Sequence, residues 1–269
     1  MQQDRHAVAT DERAYFAMPL SRQLSLALHC RCALALVLVL ALPLPGLALA
    51  AAATPPARHD SLEQRIKACT ACHAPKERHD AFFPRIAGKP AGYLYNQLLN
   101  FREARRQYPT MNYMVEHLPD DYLREIAEYF AAQHPAPPPA QPSSAGTTAL
   151  ARGKQLVLQG DAGKKIPACS ACHGHQLAGV APAIPGLLGL PRDYINAQLG
   201  AWKNGIRRAH APDCMAQVAQ RLSDADVGAV SAWLGTQVAS ADARPASSIT
   251  LPLPLHCGGV PGSAAQVAP

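Results

Sequence analysis

"KACTACHAPKE", Lys67 to Glu77, places Cys69, Cys72 and His73 at a C-x-x-C-H spacing. One hundred residues on, "PACSACHGHQL" repeats the pattern with Cys169, Cys172 and His173. The repetition continues past the cysteines. "FPRIAGKPAGYLYNQLLNFREARR" from Phe83 aligns with "IPGLLGLPRDYINAQLGAWKNGIR" from Ile184. Pro84, Gly88, Tyr93, Gln97, Leu98 and Arg106 recur 101 positions later as Pro185, Gly189, Tyr194, Gln198, Leu199 and Arg207. Three residues then enter the second copy. Beyond them Met111 pairs with Met215, Leu118 with Leu222, Asp120 with Asp224 and Tyr129 with Trp233. A long internal repeat of this kind means two copies of one structural unit.

Each copy reads as helices. Leu62, Ile66 and Cys69 share one helical face, and Tyr93, Gln97, Leu98 and Phe101 form an i, i+4, i+5, i+8 stripe. Ser223 is a suitable N-cap with Asp226 three residues on, followed by Val227, Val230 and Leu234 at helical spacing. No alternating strand pattern bounded by turn signals appears. The expected fold is all-α, with two tandem lobes.

Composition sets the boundaries. The chain has 269 residues, 48% hydrophobic and 16% charged, with 25 prolines and only 6% aromatics. So few rings leave a core to be filled by something else, such as a buried cofactor. The stretch from Arg22 to Arg31 is basic, Ala33 to Leu42 is apolar, and Pro43 and Pro45 break it before small residues at Ala48 to Ala50. That is the layout of a secretory signal. Met18 fits a true start, so residues 1–50 read as a signal peptide with an extension before it. Retention of Ala33 to Ala53 as an anchor is the alternative, because the run is uncharged and almost long enough to span. Lobe one is expected over 59–134 and a Pro/Ala-rich linker over 135–148. Lobe two is expected over 149–239 and a low-complexity tail over 240–269. Without residues 1–50 the chain carries 21 basic and 16 acidic residues, net +5. No Lys/Arg run interleaves with aromatics, which argues against nucleic acid; a weakly basic face suits an acidic protein partner.

C-x-x-C-H is the attachment pattern of c-type haem. Two thiols must reach two vinyl groups while the adjacent imidazole meets the iron, and one helical turn holds all three. The other imidazole nitrogen wants an acceptor that fixes its orientation. Two C-x-x-C pairs could instead hold zinc, but zinc pairs lie about 15 to 20 residues apart. Here 100 residues separate them and His follows each. A thioredoxin-like redox motif would need a surrounding βαβ pattern, and none is present.

At these residues the chain resembles the two-haem cytochromes c of the cytochrome c4 type, over about Leu62 to Gln237. The resemblance implies two class I cytochrome c-like lobes, each with His and Met as axial ligands. It implies two covalently bound haem c groups, one on Cys69 and Cys72 with His73 proximal, the other on Cys169 and Cys172 with His173. It also implies that Pro84 and Pro185 accept from the two imidazoles. Met111 and Met215, at equivalent repeat positions before the last helix, resemble the family's distal ligands; core methionines are the alternative. Met114 competes on the same loop, but its repeat partner is Val218, which favours packing. His175 reads as a surface residue, and His79, His117 and His210 have no repeat partner. Tyr93 and Tyr194 fit either a haem propionate or the core, and Arg106 and Arg207 either propionates or a solvated face.

Cys30 and Cys32 leave with the signal. Cys214 and Cys257 remain, and in an oxidising compartment they are expected to pair, tying the tail to the loop of Met215. A haem closed on both faces by His and Met has no open position for a small-molecule substrate. The expected role is a periplasmic single-electron carrier rather than an enzyme, between a quinol-oxidising complex or dehydrogenase and a terminal oxidase. Its partners would be redox proteins, such as a membrane-bound oxidase or dehydrogenase complex. The alternative is the dihaem subunit of a periplasmic dehydrogenase such as a flavocytochrome c. A two-haem peroxidase would need one haem without its methionine, and both positions are filled.

Overall fold

The computed structural model describes residues 61–73, 82–250 and 252–263. The expected signal segment, the start at Met18 and His79 lie outside them. In chain order the elements are α1 (Leu62–His73), α2 (Ala91–Arg102), α3 (Pro109–Val115), α4 (Asp120–Ala131), α5 (Thr147–Leu158) and α6 (Cys169–His173). A two-residue ladder follows, β1 (Gly179–Val180) with β2 (Ile184–Pro185), and then α7 (Arg192–Lys203), α8 (Cys214–Arg221) and α9 (Asp224–Gly235). The protein is all-α with this minimal ladder. Among the described residues no helix is long and apolar enough to cross a membrane.

The repeat shows in the backbone. Gly88 and Gly189 adopt the same left-handed turn, φ 74° and 72°. Pro90 and Pro191 then start α2 and α7, which suits a ring that presets φ. In α4, Leu123, Ile126, Ala127 and Phe130 are buried at i, i+3, i+4, i+7 spacing, the stripe of a helix with one face on a core. They face Ile66 of α1 and Leu94 and Leu99 of α2. In the second lobe α9 is buried nearly all round, packing against α5 and α7 through Leu156, Val157, Ile195 and Leu199. Gly153 permits the crossing of α5 and α9, since a Cβ there would lie 2.1 Å from the Ala229 carbonyl oxygen.

The lobes differ ahead of their motifs. In lobe one α1 runs straight into the C-x-x-C-H motif. In lobe two a turn at residues 159–168 separates α5 from α6, with Gly160 at φ 76° and an Asp161–Ile166 bridge. The second copy therefore has a helix before its motif helix that the described part of the first does not. The proline-rich segment between the lobes is fastened down. Arg85 donates to the carbonyls of Pro135 and Ala136, and Gln141 N–H to Gly235 O at 2.7 Å.

The Ser223–Asp226 cap is present as a reciprocal capping box and does more than cap. Asp226 accepts from Arg152 Nε and Lys164 Nζ, both at 2.8 Å, joining α5 and the 161–166 turn to α9. Burial alone would raise its pKa. The bonds from Lys164, Arg152 and Ser223 outweigh that and hold the carboxyl well below the usual range. A depressed carboxylate pKa stabilises the fold above the unfolded value near 3.9 and loses that contribution as pH falls. Asp226→Asn is expected to cost about 2 kcal/mol at pH 7, because Lys164 loses its anionic partner and Arg152 keeps only Asp161. The gap between variant and parent should narrow below about pH 4. Thermal unfolding from pH 7 to 3 checks both statements.

Candidate functional site

The motif residues lie at helix ends. Cys69, Cys72 and His73 close α1, and Cys169, Cys172 and His173 make up α6 with Ser170 and Ala171. His73 Nδ1 donates to Pro84 O at 2.9 Å and His173 Nδ1 to Pro185 O at 2.7 Å. A carbonyl only accepts, so the proton is on Nδ1 and each Nε2 keeps a free lone pair. Burial is the main cause holding both imidazoles below the usual histidine range, partly opposed by those same bonds. A neutral imidazole, oriented by a backbone acceptor, is a prepared metal ligand. Burial raises the thiols of Cys69 and Cys172 and pushes Cys169 up to about 12.

In lobe two these residues open on a cavity of about 1130 Å³, its mouth included. Cys172 and His173, with Met215 and Val218 from α8, are in its lining. Leu187, Leu190 and Trp202 add apolar walls. Asp213, an acid in the lining, is engaged in accepting from the N–H groups of Ala209 and Ala216. In lobe one Met111 lies on α3, half-buried against Leu99, Phe101, Val115 and Leu123, whereas Met114 is 37% exposed. Residues 74–81, which follow His73, are outside the described part. His175 and His117 are exposed. His210 is half-buried on the cavity rim and accepts from Arg105 Nη2 at 3.0 Å.

Sequence reasoning left Arg106, Arg207, Tyr93 and Tyr194 between two roles each. They meet at the seam between the lobes. Arg106 and Arg207 form an antiparallel bridge flanked by Gln107 N–H to Ile206 O and Arg208 N–H to Arg105 O. Arg106 donates to Gln97 Oε1 (3.0 Å), Gln198 Oε1 (2.7 Å) and Tyr194 Oη (3.2 Å). Arg207 mirrors it on Gln198 (2.8 Å), Gln97 (3.0 Å) and Tyr93 (3.3 Å). Each arginine lies over an aromatic ring at equivalent positions, Phe101 and Trp202. Six repeated residues thus pair crosswise about a local twofold.

The seam is rich in positive charge. Lys89 lines the cavity, and burial pushes its pKa down to about 8. Arg207 is only 5% exposed, and no carboxylate is ion-paired to it or to Lys89 among the described residues. Burial alone would raise Tyr194, yet Arg106, Arg207 and Lys89 bring it down to about 8. The buried Trp202 Nε1–H points to no acceptor among the described residues. Uncompensated buried cations and an orphan donor around an apolar cavity call for an anionic guest. A haem, apolar in its plane with two carboxylates at one edge, fits this donor set. Lys89 was missed in the sequence because its repeat partner is Leu190, so the repeat gave no signal there.

Fold and paired sites define a c-type cytochrome with two haem-binding lobes. Residues 150–237 match the cytochrome c family. The chain is 37% identical over 184 residues to a thiosulfate dehydrogenase electron acceptor of Thiomonas intermedia, covering 68% of this chain and 84% of that protein. It is 32% identical to cytochrome c4 of Pseudomonas aeruginosa, covering 66% and 89%. Among solved structures, reduced cytochrome c4 of Pseudomonas stutzeri superposes with TM-score 0.56 at 27% identity, covering 65% and 95%. A thiosulfate dehydrogenase from Marichromatium purpuratum gives TM-score 0.57 at 32% identity, covering 63% of this chain but 36% of that one. The chain belongs to the cytochrome c4 family. Its cofactors are two covalently bound haem c groups, and its activity is electron transfer rather than catalysis.

Proposed function

We propose that this chain is an exported, periplasmic dihaem carrier that takes electrons from a thiosulfate-oxidising dehydrogenase and delivers them to a terminal oxidase. The observation that supports the site assignment is the cavity whose lining includes Cys172, His173 and Met215. In this reading Cys69 and Cys72 attach the first haem and His73 and Met111 ligate it. Cys169, Cys172, His173 and Met215 do the same for the second. The lobes are the spans 59–134 and 149–239.

Bound haem would supply one-electron chemistry, with His73 and Met111 holding the first group and His173 and Met215 the second. The chain's own residues keep it to that chemistry. Pro84 O and Pro185 O fix the imidazole planes. The apolar walls exclude water, which lessens the reorganisation that accompanies a change of charge. Lys89, Arg207 and Trp202 would hold the carboxylate edge of the second haem against the seam. There the crosswise Arg–Gln–Tyr set keeps the two lobes in one register.

Similarity supports this donor. The relative at 37% identity bears the name of a thiosulfate dehydrogenase electron acceptor, and the same name is borne by a Stutzerimonas stutzeri protein at 36% identity. Stopped-flow reduction of the purified oxidised protein tests it. With thiosulfate and its dehydrogenase, reduction is expected at least about tenfold faster than with a quinol-oxidising complex at equal concentration. That is a transition-state advantage of about 1.4 kcal/mol. Equal or reversed rates would move the donor to the quinol side. Isolation in a fixed stoichiometry with a catalytic chain would favour the subunit reading.

A further inference from the structure

The segment expected as a loose tail is packed onto the second lobe. Ala246 forms a short bridge there, accepting from Ala181 N–H (2.7 Å) and donating to Gly179 O (2.9 Å). From Pro252 to Cys257 the chain alternates: Leu253, Leu255 and Cys257 turn inward while Pro252, Pro254 and His256 are exposed. That is the period-2 pattern of an extended strap with one covered face. Leu253, Leu255 and Val260 line the same cavity as Met215. Three fastenings hold the strap. Cys257 is disulfide-bonded to Cys214, the residue before Met215. Gly258 lies flush on residues 211–212, donating to Pro212 O; a Cβ there would be 2.0 Å from Ala211 O. Asn96 of lobe one donates to Gly259 O at 2.7 Å. Ser263, buried, closes the turn onto the Cys257 backbone.

Among the described residues lobe one has no such strap. The repeat partner of Cys214 is Thr110, and after α4 the chain passes into the linker.

We propose that residues 246–250 and 252–263 form a lid latched over the Met215 side of the second-lobe cavity, with the Cys214–Cys257 bond and Asn96 as positioning elements. The proposal rests on the reading of Met215 as an axial ligand. Met215 and its anchor Cys214 sit in the first turn of the eight-residue helix α8, a helix too short to be stable on its own. The latch restrains that turn and excludes water and small ligands from the iron's distal side. Breaking it frees one lobe only. A dithiol or phosphine reductant does so by converting the S–S bond to two thiols, with uptake of two electrons and two protons. The thioethers to haem are untouched.

The test uses the full-length holoprotein with Cys214→Ser and Cys257→Ser together, with haem content and far-ultraviolet circular dichroism confirming the fold. The oxidised variant is expected to lose about half of the long-wavelength sulfur-to-iron band, and the reduced variant to bind about one carbon monoxide per chain where the parent binds none. A full band with no carbon monoxide uptake overturns the lid. So does uptake at both lobes, which would report general loosening. Met215→Ala separates the two readings. If it keeps the full band, the ligand assignment fails; if it loses half while the double serine variant does not, only the lid fails. Should the double variant not fold, the parent is reduced with a phosphine, alkylated at Cys214 and Cys257, reoxidised and read the same way.

Discussion

With Cys169 and Cys172 both replaced by alanine, the purified chain is expected to carry one haem instead of two and a second lobe that has lost its fold. The reason is volume. The second-lobe cavity spans about 1130 Å³, and its walls are core residues of the lobe. About 180 Å³ of it is room for solvent, and leaving that empty at about 24 cal/mol per Å³ would cost about 4 kcal/mol. A domain has about 5–15 kcal/mol to lose. The buried cations Lys89 and Arg207 would also lack the anion that the site is built to receive. The first lobe should keep its haem, because Ile66, Ile126 and Phe130 form a core that the second lobe does not enter. Pyridine haemochrome content per chain and near-ultraviolet circular dichroism read both effects. Two haems retained, or none, would show that the lobes are not separately loaded.

How much of this was legible depended on what the repeat could report. The motif cysteines, His73 and His173, the paired methionines and the Ser223–Asp226 cap are local spacings present in one or both copies, and spacing is what a sequence displays. Met111 was favoured over Met114 because only the former has a repeat partner, and the latter is the more exposed of the two. The seam was not legible. Arg106, Arg207, Tyr93 and Tyr194 were seen to recur, but a polar side chain on a helix face reads as solvated until its partner across the twofold is known. A signal was there: Arg, Gln and Tyr recur together, which is what a self-complementary contact between two copies requires. Lys89 and the strap had no such signal, since each occurs in one lobe only. The strap's proline-rich composition reads as disorder; only Cys257 hinted at its anchor.

Replacing Arg207 with methionine tests what the seam is for. The guanidinium is buried, bonded to Gln198, Gln97 and Tyr93, and stacked 3.8 Å from the Trp202 ring centroid. Burial and then Arg106 press its pKa down, so as the chain stands a charge is held there at a cost. Two outcomes are distinguishable. Without a facing anion, an apolar isostere would be neutral or stabilising, since the desolvation penalty disappears with the charge. With haem carboxylates facing Arg207, its loss leaves them only Lys89 and Trp202 and is expected to cost about 2–3 kcal/mol. The second outcome also carries an electrostatic sign. Oxidation adds positive charge at the iron, so removing a nearby cation favours the oxidised form and lowers the potential. For charges about 10 Å apart at an effective dielectric near 20 this is about 1.7 kcal/mol, on the order of 70 mV for one electron. The fall is expected at the second centre and more weakly at the first, because Arg106 remains on the other side of the seam. Potentiometric titration with thermal unfolding of the holoprotein measures both, and an unchanged potential in a more stable variant would remove the propionates from the seam.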